Sequence, residues 1–575
     1  MNRKVLNTKL AGNKENWLFM GKETWKQDHT GIIYPPAWSE FGLDKETDKI
    51  PSGYAFENRR ENYIVLREAP LSDVDISVDY KGLHGIGGII FRAVGSLEFY
   101  VVDIIDMGRK GQYYKIVLWM QERSGVRREI AAATIPHSII PEEILQSGVA
   151  NRTEWNISPE WMNIRIQATG TYFRVTADNK VLFDVRDSTY EAGYTGLVAQ
   201  GTPYFRNFKV KGEQMNLAKE WSLYDRKTAP YIYLGGKQPY GSNTLSTVCR
   251  TEDGTILTAW NYSELGHGRG ECSVMFTRSE DEGKTWTVPE KIYSKKGYSV
   301  GCSSLFAHKD GKVSVFVSES KQSGEDKESR TFIICSDDKG VTWRQKGDLI
   351  IPENIVNKDF VLYSHRKRLS DGMVIITGYE AKVPSGKQGT NANRLDRSVL
   401  LKSRDDGYTW EKPMYFDKNN FDHNECEVVE AAPGRLVAFM RTLRASNMWM
   451  SRSDDRGQTW TSLVQSDVTG ECPYLLRHSN GILIMYLRIR GSDGGIFVRL
   501  SHDDGKTWSK TYRLTATWGN MIDMTEMEDG SIFLVGDEGW GIPSYARGIF
   551  FRIEGEGIDI VNKGVKNIKH NYKYT

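Results

Sequence analysis

The chain lacks any apolar run long enough to cross a bilayer as a helix. Its longest runs, such as Gly88-Ile89-Ile90-Phe91, are strand-sized, whereas a membrane helix needs about 20 residues. It also lacks a surplus of charge of either sign. With 76 basic and 74 acidic side chains the formal net charge is +2, which argues against general attraction to nucleic acid or anionic membranes and makes any charge selectivity local. Cysteine is sparse: six residues, at 249, 272, 302, 335, 426 and 472, none in a C-x-x-C pair. That spacing does not suggest a zinc site and reads as buried free thiols rather than a disulfide framework. Residues 1–16 are polar and carry no apolar core of an export signal.

Aromatic side chains are abundant, with 16 Trp and 28 Tyr, enough to fill cores and still line surfaces. At 575 residues the chain exceeds what one core usually serves, so two domains are expected. The strongest internal signal is a repeat of the form S-x-D-x-G-x-T-W. Its five copies begin at Ser279, Ser336, Ser403, Ser453 and Ser501 and end at Trp286, Trp343, Trp410, Trp460 and Trp508. Successive Trp residues lie 57, 67, 50 and 48 apart, a period that suits one four-stranded propeller blade per copy. In each copy Asp can bond turn amides, Gly supplies a backbone angle closed to other residues, and Trp fills the gap between sheets. A turn present in every blade is structural rather than catalytic.

Upstream of the boxes runs a second repeat, two apolar strands joined by a turn such as Asp253-Gly254, Asp371-Gly372, Asn480-Gly481 or Asp529-Gly530. Counting these hairpins adds a sixth blade without a box, starting near Trp518. The segment around Pro230 to Leu234 is then needed to complete the last sheet. Residues 1–215 carry no box. Alternating segments such as Val74–Asp79, Phe99–Asp103 and Trp161–Ile166 read as half-buried strands. The expected fold is all-β: a β-sandwich over 1–215 followed by a six-bladed β-propeller over 216–575.

In a propeller, the loops entering the inner strands and those joining strands two and three open on one face, opposite the box turns. Candidate site residues on that face are His267, Arg269 and Glu271 from blade one, and His365 and Arg366 from blade three. Blade four supplies Glu425 and Arg441; blade five, Glu471, Arg488 and Arg490; blade six, Asp523, Asp537 and Glu538. Glycoside hydrolysis needs a proton donor and a base or nucleophile, and this set holds several carboxylates with guanidiniums to grip an anionic group.

The boxes, together with Asn424-Glu425-Cys426-Glu427-Val428-Val429-Glu430 followed by Phe439-Met440-Arg441, resemble the sialidase superfamily, whose fourth blade places a Glu sixteen residues before an Arg. The resemblance implies that Glu425 polarises a nucleophile, that Arg441 grips a substrate carboxylate, and that Arg490 is a further arginine of that grip. It also implies an extracellular or periplasmic location. Two positions depart from the family. Thr244 stands where the resemblance places a first-blade Arg, and Met521 stands near the place of the Tyr nucleophile. The expected activity is therefore that of an exo-acting glycosidase, on a glycan that is acidic or neutral, that is not a conventional sialidase. Its catalytic carboxylates are to be drawn from Glu425, Glu271, Glu471 and Asp523.

Two alternatives stay open. One is a lyase or His-based glycosidase on a uronate-containing glycan, using His365 or His267. The other is a glycan-binding propeller without turnover. The stretch from Trp161 to Val210 resembles concanavalin- or laminin-G-like jelly rolls, which implies an accessory module. No cofactor is required, although Asp103 and Asp106 could hold a structural calcium. The basic loop with Lys382, Lys387, Arg394 and Arg397 favours an acidic glycan.

Overall fold

The computed structural model describes residues 3–20, 25–34, 62–68, 70–95, 98–106, 113–122, 127–136, 161–215, 231–235, 242–263, 270–322, 329–349, 360–382, 394–417, 419, 422–443, 447–489, 495–515, 522–538 and 545–561. Candidates His267, Arg269, Arg490 and the position of Met521 lie outside the described residues.

Two long strands organise the N-terminal sandwich, Leu71–Gly95 and Tyr194–Gln214, which pair antiparallel along most of their length. The first half of Leu71–Gly95 pairs with Met162–Thr169 and the second half with Glu98–Asp106, so one long strand changes partner along its length. The change falls where the strand is richest in glycine. A Cβ on Gly87 would lie 2.5 Å from Tyr80 Cε2, and one on Gly88 2.6 Å from the Val102 carbonyl. Between the sheets the alternating apolar residues close a core that includes Ile76, Val78, Phe91, Tyr100, Ile164 and Phe173.

Six antiparallel blades follow. Their inner strands are Ser242–Arg250, Tyr298–Ala307, the broken pair Phe360–Leu362 and Lys367–Arg368, His423–Ala432, Glu471–Arg477 and Ile522–Glu526. Each pairs with the next strand in sequence through a tight turn, and the third and fourth strands complete the sheet. As expected from the sequence, Tyr231–Gly235 closes the ring by pairing with Tyr545–Glu554 of blade six.

The five boxes form one repeated turn. In the second, Ser336 Oγ donates to Asp338 (2.7 Å) and accepts from the Gly340 amide (2.7 Å), while Asp338 accepts from Thr342 N (2.8 Å) and Oγ1 (2.6 Å). Gly340 has φ +86, and Trp343 meets Phe276 of the neighbouring blade edge-on at 5.1 Å. The six cysteines are buried and unbonded, as their spacing predicts.

The sandwich does not hang from a linker. Its strand Arg127–Pro136 pairs with Tyr512–Thr515, the outer strand of blade five, making one continuous hydrogen-bonded sheet. Phe99, Trp119 and Val198 of the sandwich share an apolar cluster with Phe439, Met485 and Phe497 of blades four and five. Asp103 lies inside this junction, 1% exposed, 3.2 Å from Arg127 and 4.0 Å from Arg513. The sequence placed Asp103 at a strand edge as a calcium candidate. A buried carboxylate facing two guanidiniums is instead an internal counter-ion and does not suit a cation. The Asp106 side chain lies outside the described set.

Candidate functional site

Four of the six inner strands carry a bulge, at the same place in blades one, four and five and two residues lower in blade two. The pairing register slips between Thr244 and Thr247, Ser303 and Phe306, Asn424 and Glu427, and Glu471 and Tyr474. At each slip one non-glycine residue takes a left-handed backbone: Leu245 (φ +55), Ser304 (φ +53), Glu425 (φ +44) and Cys472 (φ +50). Such a conformation costs about 1–2 kcal/mol per residue. Its recurrence at Leu245 makes it a property of the inner strand, which blades four and five use to re-aim side chains.

Glu425 and Arg441, which the family resemblance singles out, come together. They sit on adjacent antiparallel strands, His423–Ala432 and Arg435–Thr442, and Arg441 Nη1 donates to Glu425 at 2.8 Å. Its other terminal nitrogen donates to Glu471 at 3.3 Å, and Arg488 donates to the second oxygen of Glu471 at 2.8 Å. A chain Glu425–Arg441–Glu471–Arg488 therefore spans blades four and five. Side-chain exposures are 14%, 9%, 24% and 2% along it, so the carboxylates are the more exposed members and the guanidiniums the more buried. Burial alone would lower the Arg441 pKa, but Glu425 and Glu471 beside it raise it above its ordinary value.

Three side chains at this site are not among the sequence candidates. Cys472, the counterpart of Glu425 in the bulge, donates its thiol to Glu425 at 3.4 Å. Tyr363 and Tyr379 of blade three are buried nearby, and both phenols are pushed up by burial first and then by neighbours that include the Glu425 charge. A neutral phenol is what such surroundings favour, which suits proton donation more than nucleophilic attack. Only the slipped register, which the sequence does not show, marks Cys472. Nothing in the sequence marks the two tyrosines, because blade three breaks its inner strand there.

Below this chain the axis carries a second polar group. His365 Nε2 lies 3.4 Å from Asp523, which also accepts from Thr247 Oγ1 and the Val248 amide, both at 2.9 Å. Lys367 pairs with Glu427 and donates to the carbonyls of Val428 and Leu475. These contacts tie blades one, three, four, five and six at the hub. Burial pushes Glu427 up to about 7 despite Lys367 beside it, and burial lowers the His365 pKa. Between Tyr363, His365, Glu427 and Cys472 lies a cavity of about 10 Å³, room for roughly one water.

The remaining candidates separate from the Arg441 chain. Arg366 packs into the seam between blades two and three, donating to Ser304 Oγ (3.1 Å) and O (2.6 Å) and to Ser314 Oγ (2.8 Å) and O (2.9 Å). Its guanidinium stacks 4.1 Å from the Phe316 ring, and burial lowers its pKa to about 9. It cross-links blades and does not face a substrate. Glu271 is exposed and pairs with Lys291. His365 and Asp523 belong to the hub group, and Asp537 is buried at 1% exposure on the second strand of blade six. Arg394 of the basic loop bonds Asp396, which in turn accepts from Asn424 at 2.8 Å, next to Glu425. Thr244, half-buried at the top of blade one, offers no guanidinium where the family resemblance places one.

Residues 254–471 match the BNR repeat-like domain. The chain is 22% identical over 310 residues to a sialidase of Bacteroides fragilis (strain YCH46), covering 47% of this chain and 54% of that protein. The chain thus spans about half the length of the curated relative it matches. Among solved structures, a variant of NanB sialidase from Streptococcus pneumoniae aligns at 11% identity and TM-score 0.45, over 83% of this chain and 94% of that one. A leech intramolecular trans-sialidase aligns at 13% identity and TM-score 0.46, over 85% and 95%. The chain is thus a six-bladed propeller with five box turns, and its residues 254–471 are similar to the BNR repeat-like domain.

Proposed function

We propose that this protein is a glycoside hydrolase of sialidase-like fold that acts on the end of an acidic glycan at the mouth formed by blades four and five. The observation that carries the reading is the chain Glu425–Arg441–Glu471–Arg488, which puts two carboxylates and two guanidiniums within one hydrogen-bonded group at the upper ends of the blade-four and blade-five strands. In this reading Glu425 is the base that draws a proton from a neighbouring donor, and Arg441 is the cation that meets the substrate's anionic group. Glu471 holds both arginines in place. Thr244 removes one arm of the grip that a conventional sialoside would receive, which favours a different acidic sugar, such as a uronate. The B. fragilis relative is a sialidase by name, and a glycan substrate is extended from it to this chain; an extracellular or periplasmic location rests on the family resemblance.

The test is a panel of aryl glycosides and acidic oligosaccharides, with a sialoside, a uronate and neutral sugars, run beside Glu425→Gln. The amide keeps an acceptor for Arg441 and cannot take a proton, so release of the sugar should fall by about 100-fold or more in a folded protein. One observation favours a second reading, a glycan-binding propeller without turnover: every charged member of the chain is already paired with another. Silence across the panel with binding retained on a glycan array selects that reading. A His-based lyase has less support, since His365 belongs to the hub and no described contact joins it to Glu425 or Arg441.

A further inference from the structure

On the face opposite this mouth, the inner strands of five blades enter a five-residue turn. The residue just before it pairs with the first residue of the second strand, six positions on: Arg250 with Ile256, Ala307 with Val313, Arg368 with Val374, Arg477 with Leu483, Glu526 with Ile532. In blade four Glu430 pairs with Leu436 at the same spacing, and the ladder runs on through a register shift to Ala432 and Arg435. This shared register makes the six positions equivalent.

At five of the six seams that residue reaches the turn of the preceding blade. Glu430 accepts from the Ser370 amide (2.7 Å) and hydroxyl (2.8 Å), and Glu526 accepts from the Ser479 amide (2.8 Å) and hydroxyl (2.5 Å). Arg250 meets Glu528 at 3.4 Å, Arg368 donates to the Ala307 carbonyl at 3.3 Å, and Arg477 to the Ala431 carbonyl at 2.9 Å. Between blades one and two the equivalent residue is Ala307, which has nothing to offer. The amide equivalent to those of Ser370 and Ser479 is that of Glu252, and it meets no acceptor among the described residues.

The missing side chain leaves space. A cavity of about 290 Å³ lies there, lined by Thr251, Glu252, Ala307, Lys309 and Arg368 among others. Most cations around it are already paired: Arg250 with Glu282, Lys339 with Asp253, Arg368 with Asp406. Lys309 has no ion pair among the described residues, and the buried Arg250 Nε has no hydrogen-bond partner.

We infer that this seam is a binding site for a small oxyanion of monosaccharide size, whose carboxylate or phosphate takes the place that the Glu430 and Glu526 carboxylates occupy between other blades. The Glu252 amide donates to it and Lys309 supplies the charge. The site is separate from the Arg441 mouth and does not depend on what that mouth does.

The probes are glucuronate and inorganic phosphate, with glucose as the neutral control, titrated calorimetrically into the native protein, Lys309→Ala and Ala307→Glu. Neither variant touches the Arg441 chain. Ala307→Glu supplies the seam with its own carboxylate, so it should melt higher than the native protein and lose one set of binding heats. Lys309→Ala should weaken the same heats by about tenfold. Glucuronate and phosphate both binding identifies a general oxyanion site, and glucuronate alone a carboxylate site; either supports the inference. Heats unchanged in both variants, or no difference between anions and glucose, overturns it. Should Ala307→Glu fail to fold, the Lys309→Ala comparison, at an exposed side chain, decides alone.

Discussion

Arg441 illustrates how burial converts a charge into a commitment. It is 7% exposed and satisfies two carboxylates at once, so its removal strands Glu425 without a counter-ion and leaves Glu471 only Arg488. Breaking a buried pair typically costs about 3–5 kcal/mol. Arg441→Ala should therefore lower the urea midpoint as well as weaken substrate binding, whereas Glu425→Gln should affect turnover far more than stability. Arg366→Ala is the opposite case. Its hydrogen bonds all run to Ser304 and Ser314 of the neighbouring blade, so the expected effect is a lower melting temperature with KM unchanged. A change in KM without loss of stability would place Arg366 in the mouth after all.

His308 gives a pH dependence whose sign can be worked out. Burial first, and the Arg366 charge second, lower its pKa from 6.5 to about 4. The folded protein therefore takes up this proton less readily than the unfolded chain. The stability it confers is fully present above about 6.5 and is lost as pH falls towards 4, by an amount on the order of 3 kcal/mol. Melting temperature measured from pH 7 to pH 4 should fall, and His308→Gln should flatten part of that slope. An unchanged slope would mean that His308 titrates normally in the fold.

At the scale of the element, the box turn and the inner-strand turn use glycine for different reasons, and the difference is measurable. Gly340 in the second box has φ +86, and a Cβ there would collide with the Phe276 ring. Gly311, in the turn after Ala307, has φ +80 but open space within 4 Å. Gly311→Ala should cost only the backbone strain, about 1–2 kcal/mol, and Gly340→Ala that strain plus about 1–3 kcal/mol for overpacking. Equal losses in a denaturant titration would sink the distinction. The inner-strand bulge is the other decisive element. It was not legible in the sequence, because Leu245, Ser304, Glu425 and Cys472 share no side-chain type that demands a left-handed backbone. Only the slipped register shows that Cys472 occupies the place of Glu425 one blade later.

For the molecule as a whole, the junction between sandwich and propeller changes what a truncation should do. An accessory module on a linker could be removed cleanly. Here removal of residues 1–215 would uncover Phe439, Met485 and Phe497, unpair the edge of Tyr512–Thr515, and leave Arg513 without Asp103. An exposed apolar patch beside a free strand edge promotes aggregation. The isolated propeller is expected to be poorly soluble or to melt well below the full chain, as scattering and calorimetry would show. A soluble truncated protein with an unchanged melting temperature would mean that the junction contributes little.

What the sequence determined by itself was periodic: five boxes, six hairpins, the closing strand, the buried cysteines and the Glu425–Arg441 pair. Each follows from local chemistry, a turn that needs Gly and Asp, a strand that alternates, or two residues on neighbouring strands of one hairpin. Tertiary structure alone decided which charged residues converge. Arg366, Asp523 and His365 carry the same sequence credentials as Arg488 and Glu471, yet the former pack into seams and hub while the latter join the mouth. The reason is that a propeller brings together residues from strands about 50 positions apart, and side-chain direction there depends on bulges and blade stagger that a linear pattern does not record.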